Sequence, residues 1–190
     1  MSPTSTPRST DSYDRLYLDA TVLTTLASVD LVDAAPSTVD NPRTSYAVRA
    51  DLDASLAAGD DAAGRALAAL RDPLDSDAGT PGIAVAGSLV RQRKPELLDR
   101  LSLGEASVLY QALAAGVPLA TDDRDVRRVA DSYGVPVTGS LGLVARAVER
   151  EVLSVGTADD ALATWRDEGY SVPVDGVEEL LGRDSDGSDD

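Results

Sequence analysis

The sequence of 190 residues contains neither cysteine nor histidine. Without cysteine the protein has no disulfide bond, no thiolate metal site and no thiol catalysis. Without histidine it lacks the commonest general base, any Ser-His-Asp or Cys-His arrangement, and imidazole ligands for zinc or iron. Any chemistry must therefore rest on carboxylates, hydroxyls, arginine, tyrosine and the single lysine, Lys94.

Large apolar side chains are also scarce. Phenylalanine is absent and aromatic residues make up 4% of the chain, although hydrophobic residues make up 43%. The core must therefore be built from alanine, valine and leucine. No signal peptide precedes the first predicted strand, and no run approaches the ~20 apolar residues that a membrane-spanning helix needs. We expect a cytoplasmic protein with no membrane partner.

The charge is strongly one-sided, with 33 acidic against 17 basic residues and a formal net charge of -16. Such a balance ordinarily argues against a nucleic-acid partner. However, aspartate outnumbers glutamate and arginine almost wholly replaces lysine, a pattern most like that of a haloarchaeal protein in molar salt. Because the Debye length at about 1 M salt is only about 3 Å, local geometry then decides which partners approach. We interpret the acidic surface as adaptation to the solvent.

Short apolar runs alternate with helical patterns along the chain. Strands are predicted at 15–19, 82–86, 117–121 and 135–138, with a further short strand at Val39. Helices are predicted at 21–33, 42–59, 61–71, 101–115, 124–132, 139–148, 157–168 and 174–181. This alternation predicts an α/β fold of three layers, in which helices flank a central, mostly parallel sheet. We expect one domain over 14–182, as its length suits one domain, between a disordered tail at 1–13 and an acidic disordered tail at 183–190.

Asp19 stands where the first apolar run ends and a helical pattern begins. Residues 16–18 are apolar without polar alternation, which is typical of a strand buried on both faces. Asp19 therefore closes that strand at its carboxyl end, the edge at which ligands bind in open α/β sheets. The alternative is that Asp19 caps the following helix.

Glu105 lies on the helix face that also carries Leu109 and Ala112, so its carboxylate is predicted to point toward the protein. Burying an unpaired carboxylate is costly, which favours a functional role. The alternative is structural, because Ser102 and Glu105 have the spacing of a capping box.

Asp122 and Asp123 follow the predicted strand 117–121. Two adjacent carboxylates repel each other unless a cation lies between them. The alternative is again a helix cap, with Asp125 favouring the amino-terminal dipole. Two strand ends and one helix start at a single sheet edge can bring Asp19, Glu105 and Asp123 together. Mg²⁺ and Mn²⁺ prefer such an all-oxygen site.

Four stretches together resemble the PIN domain family. They are residues 19–23 (DATVL), 103–106 (LGEA), 121–124 (TDDR) and 137–142 (VTGSLG). They are most similar to the archaeal and bacterial branch that includes VapC-type toxins. The resemblance covers about 15–181 and implies a PIN-like fold.

The resemblance implies a metal-dependent endoribonuclease, the toxin of a toxin-antitoxin pair held inactive by a small antitoxin protein. It implies catalytic residues Asp19, Glu105 and Asp123, with Asp122 or Asp125 nearby, holding Mg²⁺ or Mn²⁺, with RNA as the substrate. It also implies a possible homodimer. Metal-activated water would attack an RNA phosphodiester in line.

The chain departs from the family pattern on the second helix, where another acid is common. Residues 42–52 match that pattern poorly, and Asp51 is the nearest stand-in. This leaves open a catalytically lapsed PIN-like module that binds or regulates. An Asp-nucleophile phosphatase would need an acid at position 21, which is threonine, and no glycine-rich phosphate loop follows the first strand.

We expect arginine side chains near the predicted sheet edge to contact the substrate. The candidates are Arg124, Arg127, Arg91 and Arg93. Thr138 and Ser140 are interpreted as the cap of the helix that follows them, in preference to catalytic groups.

Overall fold

A parallel sheet of five strands forms the centre of the described chain, which in this computed structural model comprises residues 15–70, 82–84 and 87–186. Its strands are β1 (Leu16–Leu18), β2 (Pro42–Ser45), β3 (Gly82–Ala84), β4 (Leu119–Ala120) and β5 (Val137–Thr138). The spatial order is β3-β2-β1-β4-β5. The predicted tail at 1–13 and the last four residues of the predicted acidic tail lie outside the described residues.

The strand order reverses at β1. The chain passes from β1 to β2 and β3 on one side and then returns to β4 and β5 on the other. Tyr17 is in register with Leu119, and Leu18 with Ala120, so β1 and β4 end side by side. In an open α/β sheet, the crevice at this reversal is the usual ligand site.

Helices connect the strands. They are α1 (Ala20–Ser28), α2 (Tyr46–Ala57), α3 (Asp61–Ala69), α4 (Gly87–Arg93), α5 (Leu103–Ala115), α6 (Arg124–Ser132), α7 (Ser140–Glu149), α8 (Val155–Asp167) and α9 (Val177–Asp186). Short 3₁₀ turns occupy Pro36–Thr38 and Pro95–Asp99. In the described residues no helix is both long and apolar enough to cross a membrane. The predicted α/β fold with helices flanking a parallel sheet is confirmed.

Small aliphatic residues build the core, as the composition predicts. Leu16 and Leu18 of β1 are fully buried, and valine, leucine and alanine from every layer pack around them. Tyr17 of β1 and Trp165 of α8 are buried aromatic side chains of this core. The Trp165 indole nitrogen donates to the Thr25 carbonyl oxygen at 3.0 Å and to Ser28 Oγ at 3.2 Å. The tryptophan therefore ties α8 to α1.

Two predictions around Pro42 are wrong. Residues Pro42–Ser45 form β2 instead of opening a helix, and α2 begins only at Tyr46. A proline suits the first residue of a strand as well as the first turn of a helix, because neither position needs its N–H. The predicted strand at Val39 is replaced by the end of a 3₁₀ turn. The Val39 N–H donates to the Pro36 carbonyl oxygen at 3.0 Å and so closes this turn.

Most other predicted boundaries lie within a few residues of the observed ones. The helix predicted at 124–132 has those bounds, whereas the helix predicted at 21–33 ends at Ser28 and continues as turns. Of the strand predicted at 82–86, the structure describes 82–84. The last helix, α9, extends to Asp186 and so takes in the start of the predicted acidic tail.

We expect Trp165→Phe to lower the free energy of unfolding by about 1–2 kcal/mol, because it removes buried volume and the two hydrogen bonds to α1. Urea unfolding followed by far-UV circular dichroism at constant salt measures this. Leu56→Ala is the control, since Leu56 is 43% exposed and should change stability by less than about 0.5 kcal/mol. Equal stability of the Trp165→Phe variant and the wild type would contradict the role of this contact.

Candidate active site

Asp19 is a buried carboxylate, with 1% of its surface exposed. One oxygen, Oδ1, accepts from the Ala20 N–H at 2.8 Å and so caps α1, as the structural alternative predicts. The other oxygen, Oδ2, accepts from the hydroxyls of Thr21 at 3.1 Å and Thr121 at 2.8 Å. Asp19 therefore serves as a cap and is also joined to the end of β4.

The two threonines extend this network to the next two acids. Thr21 Oγ1 accepts from the Asp122 N–H at 3.2 Å, and Thr121 Oγ1 accepts from the Asp123 N–H at 3.2 Å. These hydrogen bonds hold the segment after β4 against Asp19. Sequence reasoning did not identify either threonine as part of the site. A hydroxyl residue beside each strand-ending acid is the signal that could have found them.

Burial raises the pKa of Asp19 to about 6 from a usual value of 3.8, and the charge of Glu105 adds to the rise. The hydrogen bonds from Thr121, the Ala20 N–H and Thr21 favour the ionised form and partly offset this effect. The native state thus binds the Asp19 proton more tightly than the unfolded chain does. The resulting stabilisation is full below pH 3.8 and is lost as the pH rises through about 6.

Asp51, on α2, reaches the start of α5. A Cβ atom at Gly104 would overlap the Asp51 carboxylate, so the carboxylate lies directly against the first turn of α5. Burial raises the pKa of Asp51, and the negative charge of Glu105 raises it further. Glu105 thus raises the pKa of both Asp19 and Asp51. Asp51 therefore lies on α2 beside the first turn of α5, the helix that carries Glu105.

Glu105 and Asp123 each act as helix caps. Glu105 Oε2 accepts from the Ser102 N–H at 2.8 Å while Ser102 Oγ accepts from the Glu105 N–H at 3.2 Å, which confirms the capping box. Asp123 Oδ1 accepts from the N–H groups of Asp125 and Val126 at 2.7 and 2.9 Å. Both structural alternatives therefore hold, and each cap uses a single carboxylate oxygen.

Asp122 turns toward the start of α7. Its Oδ1 accepts from the Ser140 N–H at 2.9 Å and its Oδ2 from the Ser140 hydroxyl at 2.6 Å. The residue at the cap position of α7 is Gly139, so the prediction that Thr138 and Ser140 cap this helix through their side chains is wrong. Asp122 supplies the missing acceptor from across the sheet edge. Asp125 instead pairs with Arg128 at 3.0 Å on the exposed side of α6.

A family model described as a PIN domain matches residues 16–185. The chain belongs to the PIN domain family. No curated protein and no solved structure matches it. PIN domains are generally nucleases that act on nucleic acids with divalent metal ions, so the fold of this chain is of a nuclease type.

The donor set of this PIN domain fits a hard divalent cation. Asp19, Asp51, Glu105 and Asp123 offer carboxylate oxygens, which Mg²⁺ and Mn²⁺ prefer. The ion pairs between described residues involve Asp30, Glu96 and Asp125, so no arginine or lysine there neutralises the four acids.

The carboxylates of these four acids do not face a common point. Within the described ranges, no three or more acidic side chains stand close enough together to hold an ion as they are oriented. The two caps explain this, because they turn Glu105 and Asp123 toward their own helices.

We expect Asp19→Asn to remove a large part of the pH dependence of stability, because the variant has no proton to lose at this position. In the wild type the raised pKa of Asp19 should cost about 2 kcal/mol of stability between pH 4 and pH 7. Urea unfolding at these two pH values, with chelator and constant salt, measures the difference. Asp53→Asn, an exposed change on α2, is the control. Equal losses in Asp19→Asn and wild type would contradict the raised pKa.

Proposed function

We propose that this PIN domain is a metal-dependent endoribonuclease in which Asp19, Glu105 and Asp123 are catalytic and hold Mg²⁺ or Mn²⁺. The observation that carries the proposal is the hydrogen-bond network at the strand-order reversal, in which the hydroxyls of Thr21 and Thr121 bind both the Asp19 carboxylate and the N–H groups of the two acids after β4. The charge of Glu105 also raises the pKa of Asp19 and of Asp51. Like charges gathered without a compensating cation are costly, and a bound cation would remove that cost.

The sequence motif suggested Asp122 as the fourth carboxylate of the metal site. We propose Asp51 in its place. Both oxygens of Asp122 already accept hydrogen bonds from Ser140. Asp51 has no hydrogen-bond or ion-pair partner among the described residues and lies against Gly104, next to Glu105. We therefore assign Asp51 to the metal site and Asp122 to the support of α7.

A bound divalent ion would orient and activate water for in-line attack and neutralise charge on the phosphate. Asp19 would contribute a carboxylate that three donors hold in one orientation. These donors directly follow β1 and β4, whereas the donors to Asp122 belong to Ser140 of α7. Glu105 and Asp123 contribute the oxygens that their caps leave unused. Among the arginines named from the sequence, Arg124 and Arg127 belong to α6, which starts directly after Asp123, and are the better substrate contacts.

The finer biological role rests on the sequence motifs. The four PIN-like stretches support a VapC-type toxin, controlled by a small antitoxin and able to form a homodimer. The net charge of -16 and the excess of arginine over lysine support a halophilic source. We propose a cytoplasmic location on the same basis.

A second function, a catalytically lapsed PIN module that binds or regulates, has one observation in its favour. Glu105 and Asp123 are engaged as helix caps, and no ready-made group of three acids faces one point within the described residues. The two functions differ in whether the Glu105 and Asp123 carboxylates can bind a divalent cation. Calorimetric titration with Mn²⁺ at high salt separates them, because the lapsed module should show neither heat nor thermal stabilisation.

We expect the purified protein to cleave labelled single-stranded RNA in Mn²⁺ at high salt, and Asp19→Asn to reduce the rate at least about 100-fold. Asp51→Asn should reduce it at least about tenfold, because it removes a ligand oxygen. Asp53→Asn is the matched control on the same helix, since Asp53 is exposed and should leave the rate unchanged. Full activity of Asp19→Asn would exclude the proposed site.

We expect Gly104→Ala to separate metal binding from stability. The added methyl group would displace the Asp51 carboxylate, which should weaken Mn²⁺ binding at least about tenfold. Alanine has the higher helix propensity, so the melting temperature without metal should be equal to or above that of the wild type. Calorimetry and thermal unfolding measure the two quantities. Unchanged Mn²⁺ affinity would show that Asp51 lies outside the site.

A further inference from the structure

A cleft of about 490 Å³ opens beside the acidic edge of the sheet. Three separate parts of the chain form its walls: the first turn of α6, the loop and first turn that join β5 to α7, and the segment between α8 and α9. Asp122 lines it, and the Asp122 N–H is bound to Thr21, the same hydroxyl that donates to Asp19. The cleft is therefore next to the proposed catalytic carboxylates and contains none of them.

The cleft contains positive charge in a protein whose net charge is -16. Arg124 and Arg127 both line it. Arg124 is exposed, and Arg127 is half-buried, with its Nη2 donating to the Thr138 carbonyl oxygen at 3.1 Å. The one acid in the cleft, Asp122, is already bound by the backbone and hydroxyl of Ser140. An anionic group entering here therefore meets two guanidinium groups and a carboxylate that is already engaged.

The remaining walls are apolar or aromatic. Leu141, Pro173 and Tyr170 line the cleft, and Tyr170 also packs against Trp165 with ring centroids 5.7 Å apart. The Tyr170 hydroxyl faces the Asp122 carboxylate; burial, together with that negative charge, raises the pKa of Tyr170 well above its usual range. The tyrosine is thus a neutral ring held at a fixed position. Flat apolar surfaces of this kind suit a nucleobase.

Two glycines of the stretch at 137–142 make the cleft possible. A Cβ atom at Gly139 would overlap Arg127 Nη2 and Asp122 Oδ1, and one at Gly142 would overlap Thr138 Oγ1. With glycine at 139, the Arg127 and Asp122 side chains can lie directly against the backbone at the start of α7. This motif contributes no residue to the proposed metal site, and its glycines shape the neighbouring cleft.

We infer that this cleft binds one nucleotide of the RNA strand beside the scissile phosphate, with the arginines on its phosphate and the Leu141, Pro173 and Tyr170 surfaces on its base. A volume of about 490 Å³ is within the range of small-ligand sites, roughly 300–1,000 Å³. The inference rests on the proposed nuclease function for the nature of its occupant. It adds a subsite that selects among nucleotides without taking part in the chemistry.

The test is RNA binding without metal, which does not depend on cleavage. Anisotropy of a fluorescent six-nucleotide RNA is measured at high salt with chelator. We expect Leu141→Trp, which fills the cleft, and Arg124→Ala each to weaken binding at least about tenfold. Val152→Trp and Arg150→Ala are the matched controls, because Val152 and Arg150 are exposed residues beyond the cleft, at and after the far end of α7. Wild-type affinity in Leu141→Trp, or no RNA binding by the wild type, would overturn the inference.

Competition identifies what the cleft recognises. The four nucleoside monophosphates and ribose 5-phosphate are added to the RNA complex. Nucleotides should displace the RNA at lower concentrations than ribose 5-phosphate, and Leu141→Trp should abolish that difference. Equal competition by ribose 5-phosphate would mean that only a phosphate binds, which contradicts a base subsite.

Mn²⁺ calorimetry on the same variants separates this inference from the proposed function. Leu141→Trp should retain wild-type Mn²⁺ binding while losing RNA affinity. If the wild type binds RNA through the cleft yet neither binds Mn²⁺ nor cleaves RNA, the nuclease proposal fails and the nucleotide site stands. If it cleaves RNA and the cleft variants bind and cleave as the wild type does, the nucleotide site fails alone.

Discussion

The site depends on a single buried carboxylate, Asp19, and on the donors that make its burial possible. A charged group this deeply buried is costly unless it is hydrogen-bonded, and three donors within three residues of the ends of β1 and β4 satisfy it. Two of these donors are the hydroxyls of Thr21 and Thr121, which also accept hydrogen bonds from the N–H groups of Asp122 and Asp123. The strand-order reversal is therefore held together by polar contacts, and the positions of the later acids follow from how Asp19 is bound.

Two of the acids have a structural use, and the proposed metal site would compete with it. Glu105 and Asp123 cap α5 and α6, and a lost cap costs about 0.5–2 kcal/mol. A divalent cation bound by several carboxylates can exceed this cost, since metal binding is worth considerably more. The caps thus fix the backbone at the starts of α5 and α6. Because each cap uses one oxygen, partial coordination does not require the cap to break.

How far the sequence could predict this arrangement depends on the range of the interactions involved. β1, the capping box of α5 and the bounds of α6 follow from local patterns, and they were predicted. The β2 strand was missed because Pro42 suits the start of a strand and of a helix equally, and pairing with β1 decides between them. The place of Asp51 depends on how α2 packs against α5 across Gly104, which no local pattern encodes. The role of Asp122 likewise depends on Ser140, a residue on another helix.

An acidic protein can act on RNA only if binding does not depend on a general positive surface. In molar salt, charges more than about 3 Å apart are largely screened, so neither the net charge of -16 nor long-range steering has much effect. Contacts made at van der Waals distance are screened much less, because no solvent lies between the groups. In the proposed complex, a base against Leu141 and Tyr170 and a phosphate in direct contact with Arg124 would be contacts of this kind. In the molar salt that the composition predicts, affinity for RNA would have to come from enclosed surfaces, and the cleft beside the proposed catalytic edge would supply one where an open basic face would not.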